Sequence, residues 1–113
     1  MKNELDNLKF PIGKYKAILD FNFSRTVEDI KTLESFSGDL RESVKGLDKT
    51  DFKKSYRDGG MNIAQIIHHF CDTHTYAFLR TKHTLLEENP SVKMYEVSEF
   101  LTTPDSNVLD LND

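Results

Sequence analysis

The sequence predicts an all-α fold: two long antiparallel amphipathic helices, an extended amino-terminal arm and an irregular carboxy-terminal tail. Three observations carry that reading. Residues 61–89 form the longest run free of Gly and Pro, punctuated by Gly59-Gly60 before it and Pro90 after it, and such residues end helices rather than continue them. Upstream, Val27, Ile30, Leu33, Phe36, Leu40, Val44 and Leu47 recur at spacings of 3, 3, 3, 4, 4 and 3, which is one helical face. Both apolar faces are wider than a single partner helix covers, so the pair by itself does not make a comfortable bundle and the fold reads as unfinished.

Taken in order, residues 9–16 contain Pro11 and Gly13 and read as an extended arm. Phe10, Ile12 and Tyr15 need cover, so the arm is expected to pack on the helices. Ser24 is an acceptable N-cap for a first helix that runs to about Lys45, before Gly46. Gly38 lies inside it and costs about 1 kcal/mol relative to Ala, with a local kink possible there. Residues 48–52 suit a single helical turn, and residues 53–60 are polar and turn-rich. The second helix opens at Asn62, with Gln65 placed to complete a capping box. At 100° per residue from Ile63, the side chains of Ile66, Ile67, Phe70, Ala77, Phe78 and Leu85 share one broad sector. Residues 91–100 read as irregular with one turn of helix, residues 102–106 as a loop, and residues 107–113 as an acidic tail without a core element.

Composition narrows the function classes. A chain of 113 residues, 37% hydrophobic and 30% charged, is one small domain, 1–113, with a modest core. A net charge of −4 without a Lys/Arg cluster leaves no footprint for nucleic acid. Apolar runs are short and the amino end lacks a signal-peptide core, so neither membrane nor secretion is indicated and a cytoplasmic protein is expected. The single cysteine, Cys71, cannot form an intrachain disulfide and reads as a small apolar core residue.

The candidate chemistry sits in the second helix, which holds His68, His69, His74 and His83 together with Asp72. A helical metal site needs ligands on one side, as in HxxxH or ExxH. Here His69 and His74 are five apart, and the pair His68 and Asp72, four apart, includes only one imidazole. The strongest stripe is His69, Thr73, Tyr76 and Arg80, at offsets of 4, 7 and 11, along one edge of the apolar sector. His74 falls nearer the middle of that sector and His83 on the far, solvated face. An isolated core-facing histidine is more often a hydrogen-bonded structural residue than a ligand. Spacing alone therefore does not point to a metal. No GxSxG serine or phosphate loop is present, and the setting of Cys71 gives no sign of an activated thiol, so no catalytic residue is named.

The segment Tyr56-Arg57-Asp58-Gly59-Gly60-Met61-Asn62-Ile63-Ala64-Gln65-Ile66-Ile67-His68-His69-Phe70-Cys71-Asp72-Thr73-His74, with Arg80 six residues on, resembles the YfiT-type branch of the DinB-like family. That branch comprises metal-dependent hydrolases and bacillithiol S-transferases, and reads approximately YRxGGWTxRQVVHHxADSH. The arm Phe10-Pro11-Ile12-Gly13-Lys14-Tyr15 is similar to its YPIGxY opening, and Asn89-Pro90, Tyr95-Glu96 and Pro104-Asp105-Ser106 match later segments in order. The sequence departs from the pattern at Met61, Ala64, Cys71 and Tyr76, where the family has Trp, Arg, Ala and Asn.

The resemblance implies a four-helix bundle with a divalent metal ion, zinc or nickel, on three histidines, of which the first corresponds to His69. The other two come from an HxxxH motif on a late helix, which this sequence lacks, so a truncated domain is expected. A bound cation would lower the pKa of water for hydrolysis, or of a low-molecular-weight thiol for transfer to a small-molecule substrate. The alternative is an inactive helical module that self-associates through exposed apolar faces. Both readings predict uncovered helix faces, and hence a homodimer in which two hairpins rebuild a bundle.

Overall fold

Every regular element among the residues described by this computed structural model, 4–19 and 21–109, is helical, which bears out the all-α class. The elements are α1 (Glu4–Lys9), α2 (Phe23–Val44), α3 (Ile63–Leu86) and α4 (Val97–Phe100), with 3-10 turns at Asp51–Lys53 and Pro104–Asn107. No helix among them is long and apolar enough to cross a membrane. The chain divides into two units, Met1–Leu47 and Asp48–Asp113.

The first unit holds α1, the arm and α2. The sequence reading did not anticipate α1, whose acidic first turn (Glu4, Asp6) and basic last turn (Lys9) complement the helix dipole. A turn closed by Gly13 N–H donating to the Phe10 carbonyl, with Gly13 at φ +91°, leads into the extended arm. The expected packing of the arm does not occur: Ile12 is 100% exposed and Tyr15 is exposed too. Helix α2 offers it no closed face, since none of its own residues is buried. The cap of α2 is Asn22 rather than Ser24. Asn22 holds an extended backbone and its Oδ1 accepts from Arg25 N–H at 2.9 Å, which starts the helix at Phe23 and leaves Ser24 inside it. Gly38 does not interrupt α2, and Gly46, at φ +82°, follows its end.

The second unit is built around α3. Asp48 Oδ1 accepts from the N–H groups of Thr50 and Asp51 at 2.7 and 2.9 Å, an Asx-type cap that starts the turn burying Phe52. The chain then loops through residues 55–62 and returns on itself: Ile63 N–H donates to the Lys54 carbonyl at 3.1 Å, and Ser55 bridges to Asn62. The loop depends on its glycines. Gly59 lies at φ +63°, and a Cβ at Gly60 would fall 2.8 Å from Arg57 Cγ and 3.2 Å from the Arg57 carbonyl oxygen.

The capping box forms as expected: Gln65 N–H donates to Asn62 Oδ1 at 2.8 Å, and Asn62 N–H to Gln65 Oε1 at 3.0 Å. Helix α3 stops at Leu86, short of Pro90, because Glu87 turns extended while its N–H still donates to the His83 carbonyl at 2.9 Å.

Phe52, Ala64 and Ser106 are the buried residues among those described in this unit, gathered where both 3-10 turns pack on α3. Ser106, 2% exposed, shares its hydroxyl proton between the carbonyls of Leu101 (2.7 Å) and Thr103 (2.8 Å) and accepts from Asn107 Nδ2. The tail was expected to contribute no core element. Its neighbour Ser106 does contribute one, and residues 110–113 of that tail lie outside the described residues.

Replacing Asn62 by Ala removes one side of the capping box and is expected to cost about 1 kcal/mol of stability. Gly60→Ala meets main chain as well as side chain and is expected to cost about 1 to 3 kcal/mol. Chemical denaturation of the two variants checks both values, and a Gly60→Ala protein as stable as the parent would contradict the crowding.

Candidate functional site

Successive residues on a helix point about 100° apart, so the two histidines of the pair face different neighbours. His68 Nε2 lies 2.7 Å from the Val108 carbonyl oxygen. A carbonyl only accepts, so Nε2 carries the proton and donates, and His68 pins the segment after the Pro104–Asn107 turn to α3. Its other nitrogen, Nδ1, is 3.9 Å from Asp105 Oδ2. This histidine is structural.

His69, half-buried, faces Tyr95 instead, with Nδ1 3.1 Å from the phenol oxygen. The same phenol oxygen is 2.7 Å from Thr73 Oγ1, one helical turn along α3. The ring of Tyr95 is fixed independently of its hydroxyl. It stacks on Tyr76 with centroids 4.6 Å apart and on Phe100 with centroids 4.8 Å apart, and Tyr76 and Phe100 touch at 6.0 Å. Aromatic pairs at such separations add about 0.5 to 1.5 kcal/mol beyond their burial. Three members of the sequence-predicted stripe, His69, Thr73 and Tyr76, therefore converge on one residue, and the departure at Tyr76 makes a ring of that cluster.

The other candidates disperse. Asp72 is half-buried and Arg80 exposed, and no ion pair joins them. His83, as expected, is on an exposed face, where Nδ1 meets Glu87 Oε1 at 2.6 Å. His74 is exposed, contrary to its expected place near the middle of the apolar sector. Cys71 is exposed as well, not a core residue. Cover on α3 is partial: the 3-10 turns pack on it and Ile66, Ile67 and Phe70 are half-buried, while Phe78 and Leu85 farther along are exposed.

Among the described residues, no three His, Cys, Asp or Glu side chains come together to hold a metal ion. A catalytic metal needs three protein ligands, so His69 with its surroundings does not make a complete centre. Sequence reasoning missed the role of Tyr95 and the Val108 carbonyl. Tyr95 is 26 residues from His69 and Val108 is 40 from His68, beyond any local spacing rule.

Known proteins resemble this chain. A "Putative metal-dependent hydrolase" of Geobacillus thermodenitrificans is 37% identical over 105 residues, 93% of this chain and 59% of the relative. YfiT of Bacillus subtilis is 31% identical over 104 residues. Its solved structure, described as that of a probable metal-dependent hydrolase with an unusual four-helix bundle topology, matches with a TM-score of 0.87 over 92% of this chain and 59% of that one. Over most of its length the chain is similar to YfiT-type proteins. No family model matches it. The chain spans 59% of the length of the Geobacillus relative and 58% of that of the Bacillus subtilis one.

One ionisable group near the pair departs from its usual behaviour. The Thr103 hydroxyl beside Asp105, with backbone N–H groups and then the His68 imidazole, holds the Asp105 carboxyl below its ordinary value of 3.8. A depressed carboxyl stabilises the fold above its unfolded pKa, and that stabilisation is lost as pH falls through the folded value. Acid melts between about pH 5 and about pH 2 are expected to be less steep in pH for Asp105→Asn than for the parent. Identical pH dependence would show that the carboxylate makes no contribution there.

Proposed function

We propose that this chain supplies one metal ligand, His69, to a YfiT-type metal-dependent enzyme, with the remaining ligands lying outside these 113 residues. The observation that carries the proposal is the site of His69. It is the imidazole of the pair not consumed by a backbone carbonyl, and its Nδ1 is hydrogen-bonded to a clamped phenol, as ligating histidines are held through their second nitrogen. The names of the relatives support a hydrolase. The chemistry within that class is hydrolysis of a small molecule, or transfer of a low-molecular-weight thiol such as bacillithiol to one, with zinc or nickel as the ion and the cytoplasm as the compartment.

The test joins this chain to the carboxy-terminal portion of the Bacillus subtilis relative and measures bound metal. About one divalent ion per fused chain is expected, lost in His69→Ala, while the 113-residue protein alone retains little. A fused protein that keeps its ion with His69→Ala would overturn the assignment.

A second reading is supported by the exposed apolar side chains Ile30 and Leu33 on α2 and Phe78, Leu79 and Leu85 on α3. In that reading the isolated chain associates with a second copy and has no activity of its own. Light scattering is then expected to give twice the monomer mass, and a stable monomer would exclude it.

A further inference from the structure

The hydroxyl of Tyr95 lies between two groups, the His69 imidazole and the Thr73 hydroxyl, and its one proton goes to only one of them. The direction of that bond decides which nitrogen of His69 carries a proton. We infer that Tyr95 is a positioning residue: its phenol accepts from His69 Nδ1–H and donates to Thr73 Oγ1, so that His69 presents the lone pair of Nε2. This rests on the reading of His69 as the functional imidazole.

Three features fix the direction. The His69 to Tyr95 separation of 3.1 Å falls in the range of an N–H···O bond, and the 2.7 Å between Tyr95 and Thr73 is at the usual length of O–H···O. A phenol, with a pKa near 10, is the more acidic hydroxyl and hence the better donor, whereas the aliphatic Thr73 hydroxyl is the better acceptor. Thr73 is exposed, so its own proton has solvent to bond. With the phenol proton committed to Thr73, only its lone pairs face His69, and Nδ1 must be the donor.

The geometry also makes the hydroxyl separable from the ring. Tyr76 and Phe100 hold the Tyr95 ring by stacking, without use of its oxygen. Tyr95→Phe keeps the clamp and deletes the hydroxyl's bonds to His69 and Thr73. Thr73→Val sits at an exposed helix position and deletes the acceptor, which frees the phenol proton to turn toward Nδ1 and drive the imidazole to the Nε2–H form.

The experiment reads tautomers directly, from long-range proton–nitrogen correlation spectra of the nitrogen-15-labelled protein at about pH 8, where an ordinary imidazole is neutral. The parent is expected to show His69 as the Nδ1–H tautomer. Tyr95→Phe is expected to collapse the separation of its two nitrogen shifts toward an averaged value. Thr73→Val is expected to reverse the assignment, while the His68 signals stay as the Nε2–H form in all three proteins. A parent already in the Nε2–H form, or a His69 unmoved by both substitutions, would overturn the inference. Zinc ion alone, added to the fused protein that carries the carboxy-terminal portion of the Bacillus subtilis relative, tests the underlying function separately. A pinned Nδ1–H tautomer whose Nε2 signal does not respond to zinc would leave Tyr95 as the positioning residue and count against the metal reading.

Discussion

The docking of residues 95–108 on the first half of α3 is the constraint on which the second unit depends. Phe52 and Ala64 are the fully buried hydrophobic residues among those described, and the stacked rings of Tyr76, Tyr95 and Phe100 add half-buried apolar surface. Hydrogen bonds complete it: His68 reaches the distant Val108 carbonyl, and Ser106 bonds two carbonyls of its own loop. Such bonds are individually modest, about 1 kcal/mol each, but they are directional. They set where Tyr95 and Phe100 lie, and through them the surroundings of His69.

The histidine pair shows how one dipeptide serves two purposes. Neighbouring helical residues diverge by about 100°, so the first imidazole is taken up by the fold and the second is held by a phenol. Because His68 binds the carboxy-terminal segment and His69 the tyrosine that precedes it, the two anchor the same stretch of chain at its two ends.

What was legible in the sequence was local. The capping box of Asn62 and Gln65, the start of α3 and a helical turn expected over residues 48–52 and found at 51–53 follow from residue types within a few positions of one another. The start of α2 was misplaced by two residues because Asn22 and Ser24 are both competent caps, and only backbone geometry chooses between them. Burial was misjudged at His74 because periodicity marks a face without saying how much of it is covered, and at Cys71 because an apolar residue type does not fix where it lies. The stripe of His69, Thr73 and Tyr76 was visible as a spacing, but its meaning came from Tyr95, and no pattern within α3 points to a residue beyond Pro90. The family pattern placed Tyr95 in order without assigning it a task.

The rotation of α3 about its axis is set at its amino end, where the capping box and the Ile63 to Lys54 bond tie the first turn to the preceding loop. A one-residue insertion between Asn62 and His68 would advance the helix by a single step and bring the first histidine of the pair to the position opposite Tyr95. The doubled histidine therefore makes the imidazole at that position tolerant of a register error in one direction, while the partner of the Val108 carbonyl becomes an isoleucine. Of the two roles, the one buffered against such slippage is the one turned toward Tyr95, and the one left unprotected is the anchoring of the tail.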